Sequence, residues 1–415
     1  MYTEITKCRI CGNNNLTPVL DLGKQQLTGV FPKDRDAVIT SGPLELVLCT
    51  GLDGGDHCGL LQLRHSYDLS EMYGLNYGYR SGLNQSMVSH LHGKVQKIRD
   101  RVSLKKGDLI IDIGSNDSTL LQAYPSDVGL DLVGIDPTGA KFGKYYPPHV
   151  SLISDFFSAS VVQKAFGERK AKIITSISMF YDLESPMDFM AQVRDSLADD
   201  GIWVFEQSYM PTMLDVNAYD TVCHEHLEYY SLRQIQWMTE RIGFRIIDVE
   251  LNDINGGSFS VAVAKRASQY REAENIDELL RQEHAKGLAS LQPYKKFAAQ
   301  VSSHKEELLS FLQSARHDGK VVMGLGASTK GNVILQYCGI TEHDLPCIGD
   351  VNPDKFGCYT PGSMVPIISE SKVLEQNPYY LLVFPWHFKE FFLSCHHLRA
   401  RNLVFPLPKL EIVTV

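Results

Sequence analysis

The segment Tyr219–Ser231, with the sequence YDTVCHEHLEYYS, concentrates side chains that can move protons or bind a metal. An imidazole has an ordinary pKa of about 6.5, which suits a general base near neutral pH. Since side chains alternate along an extended segment, His224 and His226 would face one side and Glu225 the other. The segment therefore predicts an acid–base site. A metal site that includes Cys223 and a hydrogen-bonded structural loop are the alternatives.

Cysteines cluster near the start of the chain, where Cys8, Cys11, Cys49 and Cys58 account for four of the nine. An odd number of cysteines without a secretory signal does not indicate a disulfide framework. Cys8 and Cys11 flank a two-residue knuckle, so both sulfurs can reach one ion. Four thiolates fill the coordination shell of Zn²⁺, which makes such a site structural. Unrelated buried cysteines are the alternative, and His57 could replace Cys58.

The first glycine turn carries acids where a dinucleotide site would be uncharged. Asp112, Asn116 and Asp117 surround Gly114, and Asp136 ends the next expected strand. These carboxylates would repel a pyrophosphate at short range but would attract a sulfonium and an ammonium. The turn therefore predicts S-adenosylmethionine, and an ordinary strand–turn–helix unit without a ligand is the alternative.

Three acidic or aromatic side chains complete this predicted cofactor site. Asp136 is placed to accept hydrogen bonds from ribose hydroxyls. Asp155 and Phe156 follow the third expected strand, where they could contact the edge and the face of the adenine.

A second glycine turn, GLGASTKGN, precedes another helix but matches neither standard phosphate-binding pattern. It offers Gly326, Ser328, Thr329 and Lys330 at a helix N-terminus, where free N–H groups favour an anion. The turn predicts an anion site, and close packing of a strand on a helix is the alternative. The nearby Trp386 is expected in the core or stacked on a ligand, with the core favoured.

The composition restricts the class of protein that positions these residues. The chain has 415 residues, 44% hydrophobic and 21% charged, which is typical of a globular protein of two or three domains. A net charge of -9 and a pI of about 5.9 argue against a nucleic-acid partner. Because no apolar run could cross a membrane and no signal-peptide pattern is present, we expect a cytoplasmic protein.

Strands alternate with helical segments from Asp108 onwards, which predicts a mainly parallel, doubly wound α/β sheet. Five strands are expected, at 108–114, 131–136, 150–157, 171–178 and 201–209. A helix is expected at 115–124, directly after the first glycine turn. An antiparallel hairpin around the INGG turn is expected to close the sheet.

The same patterns divide the chain into four parts. We predict a zinc-binding domain over 1–75 and an S-adenosylmethionine-binding domain over 76–266. A solvated helical connector, broken or kinked at Pro293, is predicted over 267–314. A smaller Rossmann-like α/β domain is predicted over 315–415.

An ordered set of motifs along the whole chain resembles the nucleotide-sugar C-methyltransferases that act on keto-deoxysugars. The set comprises the four cysteines, YGYRSG, DIGSND, GIDPT, CHEHLEYYS, NGGS and GLGASTKGN. The resemblance implies a zinc-binding N-terminal domain, a class I S-adenosylmethionine-binding domain and a C-terminal domain that helps to hold the nucleotide-sugar. It also implies methyl transfer to the sugar C3, next to a C4 ketone, for an antibiotic or for a surface polysaccharide such as lipopolysaccharide.

Methylation of carbon needs a base, because carbon offers no lone pair. His226 is the expected base, and Tyr77 and His224 would polarise the ketone or bind hydroxyls. Glu225 would fix a tautomer or bind a sugar hydroxyl. The diphosphate is expected at the second glycine turn. The residues expected to bind substrate are Tyr79, Asn255, Ser258, Ser328, Lys330 and Asn332.

This chain departs from the family pattern at several positions, which leaves the individual acid–base roles open. Cys223 stands where many members have tyrosine, Asp182 lies near a usual histidine, and Asn255 replaces the histidine of HGGS. A monomer is expected. The competing functions are an O- or N-methyltransferase of similar fold and a zinc-ribbon module that docks a protein or an RNA.

Overall fold

The computed structural model describes residues 2–51, 57–68 and 80–415. Tyr77 and Tyr79 lie outside these ranges, so their roles stay predictions. Within the ranges the chain forms four β-sheets, two small and two large. No helix in the described part is long and apolar enough to cross a membrane.

The N-terminal lobe consists of the two small sheets. One pairs β1 (Tyr2–Glu4) with β5 (His65–Tyr67). The other is antiparallel, and its strands in order are β2 (Leu16–Gln26), β3 (Ser41–Cys49), β4 (Leu61–Leu63) and β11 (Glu228–Tyr229). Strand β11 comes from the histidine segment, so the lobe is completed by residues far away in the sequence.

The largest sheet has seven strands, and its order agrees with the predicted class I methyltransferase fold. In sheet order they are β8 (Val150–Ile153), β7 (Asp131–Ile135), β6 (Leu109–Ile113), β9 (Ala171–Ile177), β10 (Leu197–Ser208), β13 (Ser258–Lys265) and β12 (Phe244–Asn252). The strands run parallel except β13, which is antiparallel to both of its neighbours. Ile110 and Ile111 enter different cores, so both faces of the sheet are covered.

In the described part of the chain, six helices accompany this sheet: α1 (Gln85–Arg101), α2 (Gly139–Phe142), α3 (Ala159–Phe166), α4 (Pro186–Ser196), α5 (Met210–Asp215) and α6 (Leu232–Ile242). The helix expected at 115–124 was wrong, because only a single 3₁₀ turn forms there, at Leu121–Ala123. Asn116 and Ser118 have φ of 51° and 64°, a left-handed conformation that no α-helix accommodates.

The connector is two helices, α7 (Asn275–Ala285) and α8 (Gln292–His317). Pro293 lies in the first turn of α8, where its missing N–H is not needed, so it starts a helix instead of breaking one. The connector is not simply solvated, because one face of α8, including Phe297 and Val301, is buried.

The C-terminal part forms a six-stranded Rossmann-like sheet. In sheet order its strands are β16 (Ile367–Ser369), β15 (Ile348–Asp350), β14 (Val322–Leu325), β17 (Tyr380–Val383), β18 (Asn402–Phe405) and β19 (Glu411–Thr414), with β19 antiparallel. Its helices are α9 (Thr329–Cys338), α10 (Glu370–Glu375) and α11 (Lys389–Ser394). Strand order reverses between β14 and β17, where doubly wound sheets usually bind ligands.

One hydrophobic core joins the N-terminal lobe, the histidine segment, the connector and the C-terminal sheet. It contains Leu44, Tyr219, Val301 and Leu382, all of them fully buried. The histidine segment therefore lies where several parts of the fold meet.

Candidate active site

The four N-terminal cysteines form one cluster. Their Sγ atoms all lie within 4.8 Å of one another. Cys8 and Cys58 are 3.4 Å apart at Sγ, and so are Cys11 and Cys49. Thiolates around a tetrahedral zinc at 2.3 Å stand about 3.8 Å apart, so this set fits one ion with no open coordination position.

The first glycine turn brings three buried carboxylates together. Asp136 accepts hydrogen bonds from the N–H of Asn116 at 2.7 Å and of Thr138 at 2.7 Å. Asp112 accepts one from Thr175 Oγ1 at 2.5 Å, and burial raises the pKa of its carboxyl to about 7. Asp117 accepts one from the N–H of Gly82 at 2.9 Å.

The only cation recorded close to these acids in the described part of the chain is Arg80, whose Nε lies 3.6 Å from Asp117. Asp155 and Phe156 lie at the exposed rim, beyond β8, and Phe156 is 55% exposed. An excess of negative charge beside an exposed aromatic ring suits a cationic ligand that carries an adenine. The donor set therefore fits S-adenosylmethionine and does not fit a pyrophosphate.

The histidine segment is a turn, so its two histidines do not share a side as predicted. His224 is fully buried and packs edge-to-face on Tyr67 of the N-terminal lobe, with ring centroids 4.6 Å apart. His226 packs on Tyr181 of the central domain, with ring centroids 4.5 Å apart. The N–H of His226 donates to the carbonyl of Cys223, which closes the turn and rotates the two side chains apart.

The geometry of His226 fixes its tautomer. Its Nδ1 lies 2.8 Å from the carbonyl oxygen of Thr221, which can only accept, so Nδ1 carries the proton. Its Nε2 then keeps a lone pair, and no described residue is recorded as a hydrogen-bond partner of that atom. Burial, helped by the positive charge of Lys330, lowers the pKa of His226 to about 4. The side chain is therefore a neutral base near neutral pH.

Glu225 points away from His226, towards the N-terminal lobe. A Cβ on Gly29 would lie 2.9 Å from Glu225 Oε1 and 3.8 Å from Thr329 Oγ1. Glu225 Oε2 is buried without a hydrogen-bond partner among the described residues. Burial raises the pKa values of Glu225 and of the neighbouring Cys223 thiol. This polar group is placed to contact a ligand between the lobe and the second glycine turn.

The second glycine turn and the NGGS turn are joined by one cation. Lys330 Nζ donates to the carbonyl oxygen of Asn255 at 2.6 Å, and Asn255 has a left-handed φ of 56°. Ser328 caps α9 by accepting the N–H of Gly331 at 3.0 Å. The two turns therefore lie in direct contact.

Two of the expected substrate residues have structural partners instead. Ser258 is buried and donates to the carbonyl oxygen of Ile254 at 2.9 Å. Asn332 is 1% exposed and donates through Nδ2 to the carbonyl oxygen of Thr28 at 2.7 Å. Asn332 holds the N-terminal lobe against α9, because it lies one turn inside the helix and faces the lobe.

The loop after β17 adds His387, which the sequence analysis did not single out, and also contains Trp386, which it did. His387 lies beside the NGGS turn, where a Cβ on Gly256 would be 3.7 Å from the Cβ of His387. Burial and Lys330 lower the pKa of His387 to about 3. Trp386 is buried and donates to Asp220 at 2.8 Å, which agrees with a core position. A histidine in the loop that follows a buried strand is the signal that could have singled out His387.

Comparison with known families matches three consecutive parts of the chain. Residues 8–73 match a zinc-binding domain, 87–249 a methyltransferase domain and 253–408 a C-methyltransferase C-terminal domain. The chain is therefore a homologue of C-methyltransferases, and this part of the predicted family is confirmed. The nucleotide-sugar substrate stays a prediction.

A relative of this C-methyltransferase is C-methyltransferase NovU from Streptomyces niveus. The two are 28% identical over 416 residues, which cover 99% of this chain and 97% of NovU. Among solved structures, the complex of the Haloferax volcanii Trm112 activator with a methyltransferase gives a TM-score of 0.37 and 13% identity, over 44% of this chain and 94% of that chain. An S-adenosylmethionine-dependent methyltransferase from Listeria monocytogenes gives a TM-score of 0.34 and 12% identity, over 42% of this chain and 98% of that chain.

Both predicted cofactors of the C-methyltransferase are confirmed. The methyltransferase domain implies S-adenosylmethionine, and the zinc-binding domain with its cluster of Cys8, Cys11, Cys49 and Cys58 implies zinc. The acidic glycine turn as the site of S-adenosylmethionine stays a prediction. Since four thiolates leave no open coordination position, the zinc is structural.

Proposed function

We propose that this C-methyltransferase methylates C3 of a nucleotide-linked 4-keto-6-deoxy sugar, as a step towards an antibiotic or a surface polysaccharide. The observation that carries the proposal is the tautomer of His226. Its Nδ1–H is held by the Thr221 carbonyl at 2.8 Å, which leaves a neutral Nε2 available as a base. A methyl acceptor with its own lone pair, on oxygen or nitrogen, has less need of such a base.

The proposed first step is proton transfer from the sugar. Nε2 of His226 takes the proton from C3, and the electron pair of that C–H bond becomes part of an enolate whose charge rests on the C4 oxygen. The imidazolium that forms is stabilised by the Thr221 carbonyl, which accepts its other N–H. S-adenosylmethionine, when bound, supplies the methyl group that C3 receives.

The enolate oxygen needs a donor or a cation nearby. Lys330 is suited to this role, since its charge acts on both His226 and His387 and its Nζ contacts the NGGS turn at the carbonyl of Asn255. In an alternative arrangement Lys330 binds the diphosphate with the capped N-terminus of α9. Glu225 then contacts a sugar hydroxyl from the side of Gly29.

Wash-in of deuterium tests the base directly. The protein is incubated in D₂O with a panel of thymidine- and guanosine-linked 4-keto-6-deoxy sugars, without a methyl donor. We expect deuterium at C3 for the true substrate, measured by mass spectrometry and NMR. Methyl transfer to oxygen or nitrogen in the complete reaction, without exchange at C3, would contradict the proposal.

His226→Ala is expected to slow both exchange and methyl transfer strongly while S-adenosylmethionine still binds in calorimetry. General base catalysis contributes about 10²–10⁴-fold, so both rate constants should fall by a factor in that range. His92→Ala is the matched control, because His92 is an exposed histidine on α1. Near-normal exchange by His226→Ala would remove this residue from the role.

A further inference from the structure

Arg9 lies inside the zinc knuckle, between Cys8 and Cys11, yet its side chain points to the interior and is only 2% exposed. Its Nη1 donates to the carbonyl oxygen of Leu63 at 2.6 Å. Its Nη2 donates to Ser66 Oγ at 2.8 Å. The guanidinium therefore fixes β4 and β5 to the knuckle.

Strand β4 in turn holds the histidine segment. Gln62 and Leu61 pair with Glu228 and Tyr229 of β11. The N–H of Leu63 donates to the carbonyl oxygen of Leu227 at 2.8 Å. Leu63 thus accepts from Arg9 and donates to the residue that directly follows His226.

Arg9 also lies close to an acidic side chain of the histidine segment. Its Nε lies 3.7 Å from Oε1 of Glu228, whose side chain is fully buried, and 3.5 Å from Oε2 of Glu184. A buried guanidinium is costly unless several acceptors surround it. Removing it would leave the Leu63 carbonyl without this donor and the buried Glu228 side chain without the nearby positive charge.

A second link runs from the zinc site to the end of the histidine segment. Gln234, in the first turn of α6, donates to the carbonyl oxygens of Cys58 at 2.9 Å and of Gly59 at 3.0 Å. Its Oε1 accepts from Ser231, which caps the same helix. The histidine segment is thus tied to the zinc-binding lobe at β11 and again where α6 begins.

We propose that Arg9 is a positioning residue for methyl transfer, which transmits the zinc-organised shape of the knuckle through Leu63 to His226. The zinc site then serves the reaction as well as the stability of the lobe. This inference rests on the proposed role of His226 as the base. Its central consequence, ordering of the histidine segment by Arg9, is independent of the substrate.

Amide hydrogen exchange followed by mass spectrometry tests this consequence without any sugar. In Arg9→Met we expect exchange of the amides of residues 222–229 to rise by about tenfold or more, since local opening becomes easier. Zinc content and S-adenosylmethionine affinity should match those of the wild type. Unchanged exchange in 222–229 would overturn the proposal.

Arg64→Met is the matched control, because Arg64 belongs to the same lobe but bridges Glu4 and Glu45 within it. It should leave exchange in 222–229 unchanged, and a rise equal to that of Arg9→Met would contradict a specific role of Arg9. If Arg9→Met loses zinc or does not fold, Arg9→Lys replaces it. Raised exchange in residues 222–229 is again the expected result, and unchanged exchange would overturn the proposal.

The deuterium wash-in assay then separates this inference from the proposed function. With a sugar that the wild type labels, Arg9→Met should lower the rate constant of labelling by about 10²-fold, as expected for a base displaced by an ångström, with little change in KM. Wild-type labelling by Arg9→Met would overturn the positioning role. Absence of labelling by the wild type would count against the proposed function alone.

Discussion

At the scale of single residues, the most informative group is His226, because one hydrogen bond determines what it can do. The Thr221 carbonyl assigns the proton to Nδ1, and burial keeps Nε2 unprotonated. A histidine in water would be largely protonated below pH 6.5. The buried ring is a weaker base than a histidine in water, but it is neutral at every pH above about 4.

This depressed pKa predicts the pH dependence of proton abstraction. Protonation of Nε2 removes the lone pair, so C3 exchange should fall on the acid side with a midpoint near 4, and not near 6.5. Lys330→Met removes a nearby positive charge and should move that midpoint upwards. The measurement is the initial rate of deuterium wash-in between pH 4 and pH 8, within minutes of a pH jump. A midpoint near 6.5 in the wild type would contradict the assignment.

The lowered pKa of His226 also makes the free energy of unfolding depend on pH, because the folded and unfolded chains bind different numbers of protons. The unfolded chain binds a proton at His226 below about pH 6.5, whereas the folded chain binds it only below about 4. The free energy of unfolding should therefore decrease as the pH falls from 6.5 to 4. Acid inactivation has to be separated from acid unfolding by a circular dichroism control at each pH.

At the scale of elements, the histidine segment is positioned by helices that follow it in the chain. Tyr219 donates to Nδ1 of His304 on α8 at 3.0 Å, and Nε2 of that ring donates to the carbonyl oxygen of Pro406 at 2.6 Å. A predicted linker helix thus connects the start of the segment to the C-terminal sheet. Buried polar contacts of this kind explain why the connector is not simply solvated.

Helix α6, which follows the histidine segment, depends on a carboxylate from α7. Glu283 is 3% exposed and accepts from the N–H groups of Leu232 and Arg233 at 2.6 and 3.0 Å, and from Tyr209 Oη at 2.7 Å. Glu283→Ala leaves these donors unpaired and should lower the free energy of unfolding by about 3 kcal/mol. Urea unfolding followed by circular dichroism measures this change.

Glu278→Ala on the same helix is the control for that measurement. Its carboxylate is exposed and pairs with Arg281 at 2.7 Å. Exposed pairs contribute less than about 1 kcal/mol, so the two variants should differ clearly. Equal losses would show that Glu283 does not act as a remote cap of α6.

At the scale of the whole molecule, the sheet of the zinc-binding lobe shares a core with the C-terminal sheet, whereas the four cysteines pack in the core of the central sheet. The acidic glycine turn makes the hydrogen bonds of Asp112 and Asp136 within the central domain, and none of them involves a zinc ligand. Zinc removal should therefore affect the histidine segment more than the cofactor turn. We expect a chelator to lower the melting temperature and to increase exchange in residues 222–229. S-adenosylmethionine affinity in calorimetry should persist, because none of its predicted contacts is a zinc ligand.

Readdition of zinc is the control for this experiment, and it should restore protection in 222–229. Loss of S-adenosylmethionine binding together with zinc would contradict the division of the site into a metal-organised half and a central-sheet half. Unchanged exchange in 222–229 after complete zinc removal would show that the lobe keeps its shape without the ion.

The sequence by itself determined the parts of this protein that depend on local patterns. Strand periodicity predicted both α/β sheets, cysteine spacing predicted the zinc site, and acids around Gly114 predicted S-adenosylmethionine. Each of these signals is carried by residue types at short spacing, so no knowledge of distant contacts was needed. The substrate-binding roles of Tyr79, Asn255, Ser258, Ser328, Lys330 and Asn332 remain predictions.

Tertiary structure alone decided the roles inside the histidine segment. Alternation predicted that His224 and His226 would act together, but a turn sends one ring to Tyr67 and the other to Tyr181. Asn332 likewise faces the N-terminal lobe because of how α9 packs. These outcomes depend on contacts between residues that are far apart in the sequence, and short-range periodicity carries no information about such contacts.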